Sequence, residues 1–160
     1  MLFRSLDEPI AIRALKRSAI DWGRDNQPLS EAPIELDDAT GKHVAVVGGG
    51  PSGLTAAHDL ARMGHDVTVF ERAGKAGGML RWFIPAYRLP RDIVDEEVSY
   101  IERMGVDIRC GQKLGEDFTL DELNGEYDAV VLAFGADESV ELGLPGEGAA
   151  GVVGAMQFLE

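Results

Sequence analysis

Residues 48–53 read Gly48-Gly49-Gly50-Pro51-Ser52-Gly53, a G-x-G-x-x-G run, and Glu71 stands 18 residues after the last of these glycines. The pattern alone is weak, because glycines gather in turns. Its surroundings add weight: an apolar run precedes it, a helical pattern follows, and a second apolar run ends on Glu71. Each position then has a physical task. Gly48 permits a tight turn, Gly50 removes a side chain so that backbone can approach a pyrophosphate, and Gly53 lets a helix pack close to a strand. The helix start offers free N–H donors and the positive end of its dipole to phosphates. Glu71 can accept hydrogen bonds from both ribose hydroxyls, and its charge would repel a 2′-phosphate. The chemistry expected is binding of FAD or NAD rather than NADP. A glycine-rich turn with an incidental Glu71 is the bland alternative.

The elements that must hold these residues follow from apolar spacing. Val44–Val47 is a continuous apolar run, as in a strand buried on both faces. A helix from about Gly53 to Met63 places Leu54, Ala57, Leu60 and Ala61 on one side, and Val67–Phe70 forms a second strand. Residues 71–90 read as a long loop. A helix over 91–104, a strand over 106–110, a short helix with capping-box spacing at Thr119–Glu122 and a buried strand over 128–133 follow. The last residues, from Gly154, begin another helix. Alternation of strand and helix predicts an α/β fold, a Rossmann-like domain with a parallel sheet. Before it, Asp7-Glu8-Pro9 and the spacing of Ile12, Leu15, Ala19 and Trp22 predict a helix closed by Gly23. Residues 24–41 read as a linker or a strap over the surface. The expected organisation is a helix and linker over 1–41 and a Rossmann-like domain over 42–160.

Composition excludes several classes. The 160 residues carry 28 acidic and 15 basic side chains, net −13, which argues against a nucleic-acid or anionic-membrane binder. Only residues 41–90 are net positive, which suits a phosphate-bearing ligand there or reflects scatter in short segments. No apolar run reaches the length of a membrane span. One cysteine, Cys110, cannot form an internal disulfide or supply a cluster from this chain's thiolates, and a cytoplasmic location is expected. Cys110 reads as a buried structural thiol. His43, His58 and His65 show no metal spacing, His58 reads as a surface or packing residue, and the expected metal set is empty.

Val44–Leu54 with Phe70-Glu71 resembles the first motif of flavoproteins that carry two dinucleotide-binding domains. Gly77-Gly78-Met79-Leu80 followed by Ile84-Pro85-Ala86-Tyr87-Arg88-Leu89-Pro90 is similar to the signature of the glutamate synthase small (beta) subunit family. That family includes the flavin modules of dihydropyrimidine dehydrogenase and of NADH-dependent ferredoxin:NADP oxidoreductase. Tyr127–Ala136, Leu144–Glu147, Gly151-Val152 with Phe158-Leu159, and the helix after Pro9 continue the likeness. The resemblance implies FAD at Gly48, Gly50, Pro51, Ser52, Gly53, Glu71 and Arg72. Gly77, Gly78 and Leu80 would line the pyrophosphate-to-flavin stretch, Arg88 and Leu89 the flavin end, and Ala133 to Gly135 would pass along the cofactor. Arg81 and Arg88 could each meet phosphate or flavin carbonyls, or stand in solvent.

The implied reaction is hydride transfer from NAD(P)H to the flavin, then single-electron transfer to iron–sulfur centres. No catalytic residue is singled out. The family's cysteine runs, its second dinucleotide fold and its returning FAD segment have no counterpart among these residues. The chain is therefore expected to be a fragment, with an NAD(P)-binding region and an iron–sulfur domain or subunit as partners. Phe134 replaces a frequent threonine, and Phe83 a commoner glycine. The alternatives are an NAD-binding domain of a simple dehydrogenase, or a flavin-binding electron relay that is not itself a catalyst.

Overall fold

A computed structural model describes residues 10–136 and 139–159, in two units divided between Pro33 and Ile34. The first unit holds α1 (Ile12–Asn26) and a single 3₁₀ turn, Leu29–Glu31. The start signal Asp7-Glu8-Pro9 lies outside the described residues. Gly23 does not close α1, contrary to the sequence expectation: the helix continues one turn further, and the Gln27 N–H donates to the Gly23 carbonyl. Glycine without a positive φ continues a helix, and the stop comes from extended Pro28 two residues beyond Asn26. An Arg17–Asp21 ion pair one turn apart, at 2.8 Å, lies along its exposed surface.

The second unit is an α/β sandwich. Four parallel strands, β1 (His43–Val47), β2 (Asp66–Glu71), β3 (Asp107–Cys110) and β4 (Ala129–Leu132), lie in the order β3-β2-β1-β4. This bears out the Rossmann-like reading. One face carries α2 (Pro51–Arg62) and α4 (Arg91–Arg103), whose Leu54, Ala57, Ala61 and Ile101 pack with Val46, Val67 and Val69. On the other, Leu123 of α5 (Leu120–Glu126) packs with Ala45, Val47 and Phe70. The Phe70 ring lies 4.7 Å from that of Phe118 and edge-on to Tyr127. The capping box of α5 is formed: Thr119 Oγ1 accepts from the Glu122 N–H, and Glu122 Oε2 accepts from the Thr119 N–H at 2.7 Å.

Two expectations of burial fail for one reason, position in the sheet. β4 is an edge strand and only half covered, with Leu132 51% exposed. Cys110 is exposed because β3 is the opposite edge. The central pair β1 and β2 is buried from Val44 and Val67 onward.

α2 starts two residues before the expected Gly53, because Pro51 has the φ that a first helical turn needs. Residues 34–41 are attached to the sandwich. Ile34 packs against its core, the Asp37 N–H donates to the Arg62 carbonyl at 2.8 Å, and the Thr40 N–H to the Gly64 carbonyl at 2.9 Å. The long loop before α4 contains a further short helix, α3 (Met79–Trp82); α6 (Ala155–Leu159) is the last element.

Candidate dinucleotide-binding site

Strand order reverses between β1 and β4: the chain moves outward from β1 through β2 to β3, then returns to the other side of β1. The crevice at the carboxyl ends of such a pair is where open α/β sheets hold ligands. Here Gly48 leaves β1 with φ +113°, and the Ala133 N–H donates to the Val47 carbonyl at 2.7 Å. The two segments touch so closely that a Cβ on Gly48 would sit 2.4 Å from the Ala133 carbonyl oxygen.

Gly53 is walled in differently. A Cβ there would stand 1.8 Å from the Gly48 carbonyl oxygen, so only glycine allows α2 this near to the turn. Gly50 is open by contrast, its hypothetical Cβ meeting only the Gly78 Cα at 3.8 Å. At the N-cap, Gly50 has no side chain to offer the first N–H groups of α2. A bare helix start beside an open glycine is the form a phosphate cradle takes.

Strand alternation sets Glu71 on the face shared by Val67 and Val69, towards α2 and the glycine turn. The residue is 6% exposed. Its Oε2 accepts from the Gly49 N–H and its Oε1 from the Ala73 N–H, both at 2.7 Å. A carboxylate has about four lone-pair sites. Two are used by backbone, and two remain for hydroxyl donors.

A groove of about 570 Å³ lies over these atoms, lined by Gly48, Gly50, Pro51, Ser52, Glu71, Arg72, Gly78, Ala133 and Gly135 of the expected set, with Met79, Trp82 and Phe83 beyond them. A smaller cavity of about 260 Å³ adjoins it. Its walls are Val47, Gly48, Phe70, Glu71, Arg72, Gln112, Lys113, Leu114 and Phe134. Gln112, Lys113 and Leu114 were not singled out from sequence. They lie just after β3, and the rule that parallel strands present ligands at their carboxyl ends is the signal that would have found them. The Lys113 ammonium also pairs with Glu116.

Five expected residues stand outside the groove wall. Gly53 and Gly77 are buried behind it, where the Gly77 N–H donates to the Gly49 carbonyl at 2.7 Å. The Leu80 carbonyl accepts from Arg91 at 3.0 Å. Arg88 and Leu89 form a turn in which both N–H groups donate to the Pro85 carbonyl. Arg81 does neither of the things expected of it. It is 5% exposed, donates to the Ala76 carbonyl at 2.6 Å and pairs with Asp95 of α4 at 2.5 Å. That guanidinium holds the Asp95 carboxyl below the usual carboxylate range. Arg81 is thus a clamp on the loop. His58 is half-buried and paired with Asp59, and no group of metal-ligating side chains occurs among the described residues.

Residues 46–103 match a family described as NAD(P)-binding Rossmann-like domain. Across 97% of its length the chain is 41% identical to the NADP(+)-dependent formate dehydrogenase subunit beta of Moorella thermoacetica. Across 96% it is 39% identical to the glutamate synthase [NADPH] small chain of Bacillus subtilis. The chain is a homologue of these proteins. It spans 25% and 31% of their respective lengths. Among solved structures, Mycobacterium tuberculosis FprA in complex with NADPH superposes with a TM-score of 0.67 at 26% identity, covering 74% of this chain and 28% of FprA. The expected likeness to the glutamate synthase small subunit is borne out, and these homologues are oxidoreductase subunits. Among the described residues no helix is long and apolar enough to cross a membrane.

Proposed function

We propose that the groove holds the adenosine and pyrophosphate of FAD, as part of an NAD(P)H-dependent oxidoreductase of the glutamate synthase small-chain kind. The observation that carries this reading is the Glu71 carboxylate. It is fixed by two backbone N–H groups beside an uncapped helix start, with two lone-pair sites left for ribose hydroxyls. The residues fit the group: Gly50 leaves space that a side chain would fill, and the start of α2 offers N–H donors to phosphate. Gly48, Pro51, Ser52 and Gly78 complete the pyrophosphate wall, with Gly53 and Gly77 supporting it from behind. Arg72 would stand at the ribose side, Ala133 and Gly135 would run along the cofactor, and Leu80, Arg88 and Leu89, outside the groove wall, would lie towards its flavin end.

When bound, the flavin would supply acceptance of a hydride and release of single electrons; the protein contributes binding, orientation and exclusion of water. NAD(P)H would be held by a region outside these 160 residues, and iron–sulfur centres by a partner domain or subunit. The first part is supported by the NADP(+)-dependent and [NADPH] names of relatives of which this chain spans 25% and 31%, and the second by the single thiol, which cannot hold a cluster alone. A cytoplasmic location belongs to the same reading.

A second reading, an NAD-binding domain of a simple dehydrogenase, is favoured by the NAD(P)-binding description of the matched family. Titration of the chain with FAD and with NAD, followed by chromatographic identification of what is retained, separates the two. Retention of FAD is the expected result, and retention of NAD with no flavin overturns it. With FAD, NADH or NADPH and an artificial acceptor supplied, this chain alone is expected to show no turnover near the ~1 s⁻¹ of ordinary slow enzymes.

A further inference from the structure

We infer that Phe134 is a positioning residue for the base of the bound dinucleotide, stacking on the purine where the two cavities meet. The inference rests on the dinucleotide reading above and adds to it the residue that orients the adenine half. Phe134 lines the smaller cavity together with Glu71 and Arg72, and unlike Phe70 it also borders the groove. It is 62% exposed, so its ring is accessible to a ligand at the junction of the two cavities.

Its main chain has little freedom to move away. The Phe134 Cα lies 2.8 Å from where a Cβ on Gly48 would stand, and the preceding residue is hydrogen-bonded to Val47. The main chain that carries the ring is therefore fastened to the glycine turn that would hold the phosphates. The smaller cavity, of about 260 Å³, offers apolar surface for a base at Val47, Phe70 and Leu114 and polar groups for its edge at Gln112 and Lys113. Glu71, common to both cavities, marks the ribose between base and phosphates. An aromatic ring there offers a π-face to a purine, which a hydroxyl side chain could not.

The test is calorimetric titration of the 160-residue chain and its Phe134→Ala and Phe134→Trp variants with ADP, FAD and inorganic pyrophosphate, beside thermal melts without ligand. Exposure of Phe134 predicts unchanged melts. Phe134→Ala is expected to weaken ADP and FAD about ten-fold or more, with pyrophosphate unaffected, and Phe134→Trp to restore the affinity. Equal affinity of Phe134→Ala and parent for ADP overturns the inference and leaves the dinucleotide reading standing. An equal loss for pyrophosphate and ADP also overturns it, since the side chain would then act through the glycine turn. A parent chain that takes neither ADP nor FAD overturns the dinucleotide reading, and this inference with it.

Discussion

Replacing Glu71 by glutamine is nearly isosteric, yet it should damage both the fold and the site. The carboxylate receives one backbone N–H on each oxygen, at 2.7 Å, in a residue only 6% exposed. A side-chain amide has one oxygen and one NH₂. Whichever way it turns, NH₂ must face the N–H of Gly49 or of Ala73, so one buried donor loses its acceptor and the other loses a charged partner. Hydrogen bonds to charged groups contribute about 1.5–3 kcal/mol, and an unsatisfied buried donor costs about 1–3 kcal/mol. A destabilisation of about 2–3 kcal/mol is expected, which at roughly 2–4 °C per kcal/mol lowers Tm by about 4–12 °C. Loss of the ribose acceptor should weaken FAD binding by about ten- to a hundred-fold. Urea denaturation of the unliganded chain and FAD titration measure the two effects separately. A Glu71→Gln variant that unfolds at the parent's urea midpoint and binds FAD equally well would refute the assigned role of this carboxylate.

Gly53→Ala and Gly50→Ala should part company. The first puts a methyl group 1.8 Å from the Gly48 carbonyl oxygen and should cost about 1–3 kcal/mol or more in a urea melt. The second meets nothing nearer than 3.8 Å, so it should melt close to the parent and lose pyrophosphate binding by calorimetry. Asp95 has a depressed pKa in the fold, so its contribution is present above the unfolded value near 3.8 and is lost as pH falls through the lower folded value. Asp95→Asn should lower Tm at pH 7 and flatten the parent's acid limb, read from melts between about pH 7 and pH 2. Thr119→Ala removes the capping box of α5 and should cost about 1 kcal/mol by urea denaturation.

The glycine turn, the two central strands and the ribose-side acid were legible because each leaves a local mark. Apolar residues run in an unbroken stretch where both faces are covered, and a charged residue at the end of such a run stands out. What failed was neighbour-dependent. Val130, Val131 and Leu132 read as a buried strand since composition does not record that β4 has a neighbouring strand on one side alone among the described residues. Cys110 was misjudged in the same way at the other edge. Arg81 finds its carboxylate 14 positions away on α4, a pairing with no sequence period, so it was read as ligand-facing or solvated when it is neither. Gln112–Leu114 form no motif, and only the arrangement of strands brings them beside Phe134.

The fastening of residues 72–90 also bears on how fast a ligand can come and go. Gly77 is tied to Gly49, Arg81 to Ala76 and Asp95, and Arg91 to the Leu80 carbonyl, all before any ligand arrives. Ordering a free segment takes about 1–2 kcal/mol per residue in backbone entropy, and here that loss is borne by folding rather than by association. Encounter should therefore proceed without a slow rearrangement step, in a single exponential phase whose rate rises linearly with ligand concentration. Amide exchange at Gly77 and Arg81 should already be slow in the empty protein.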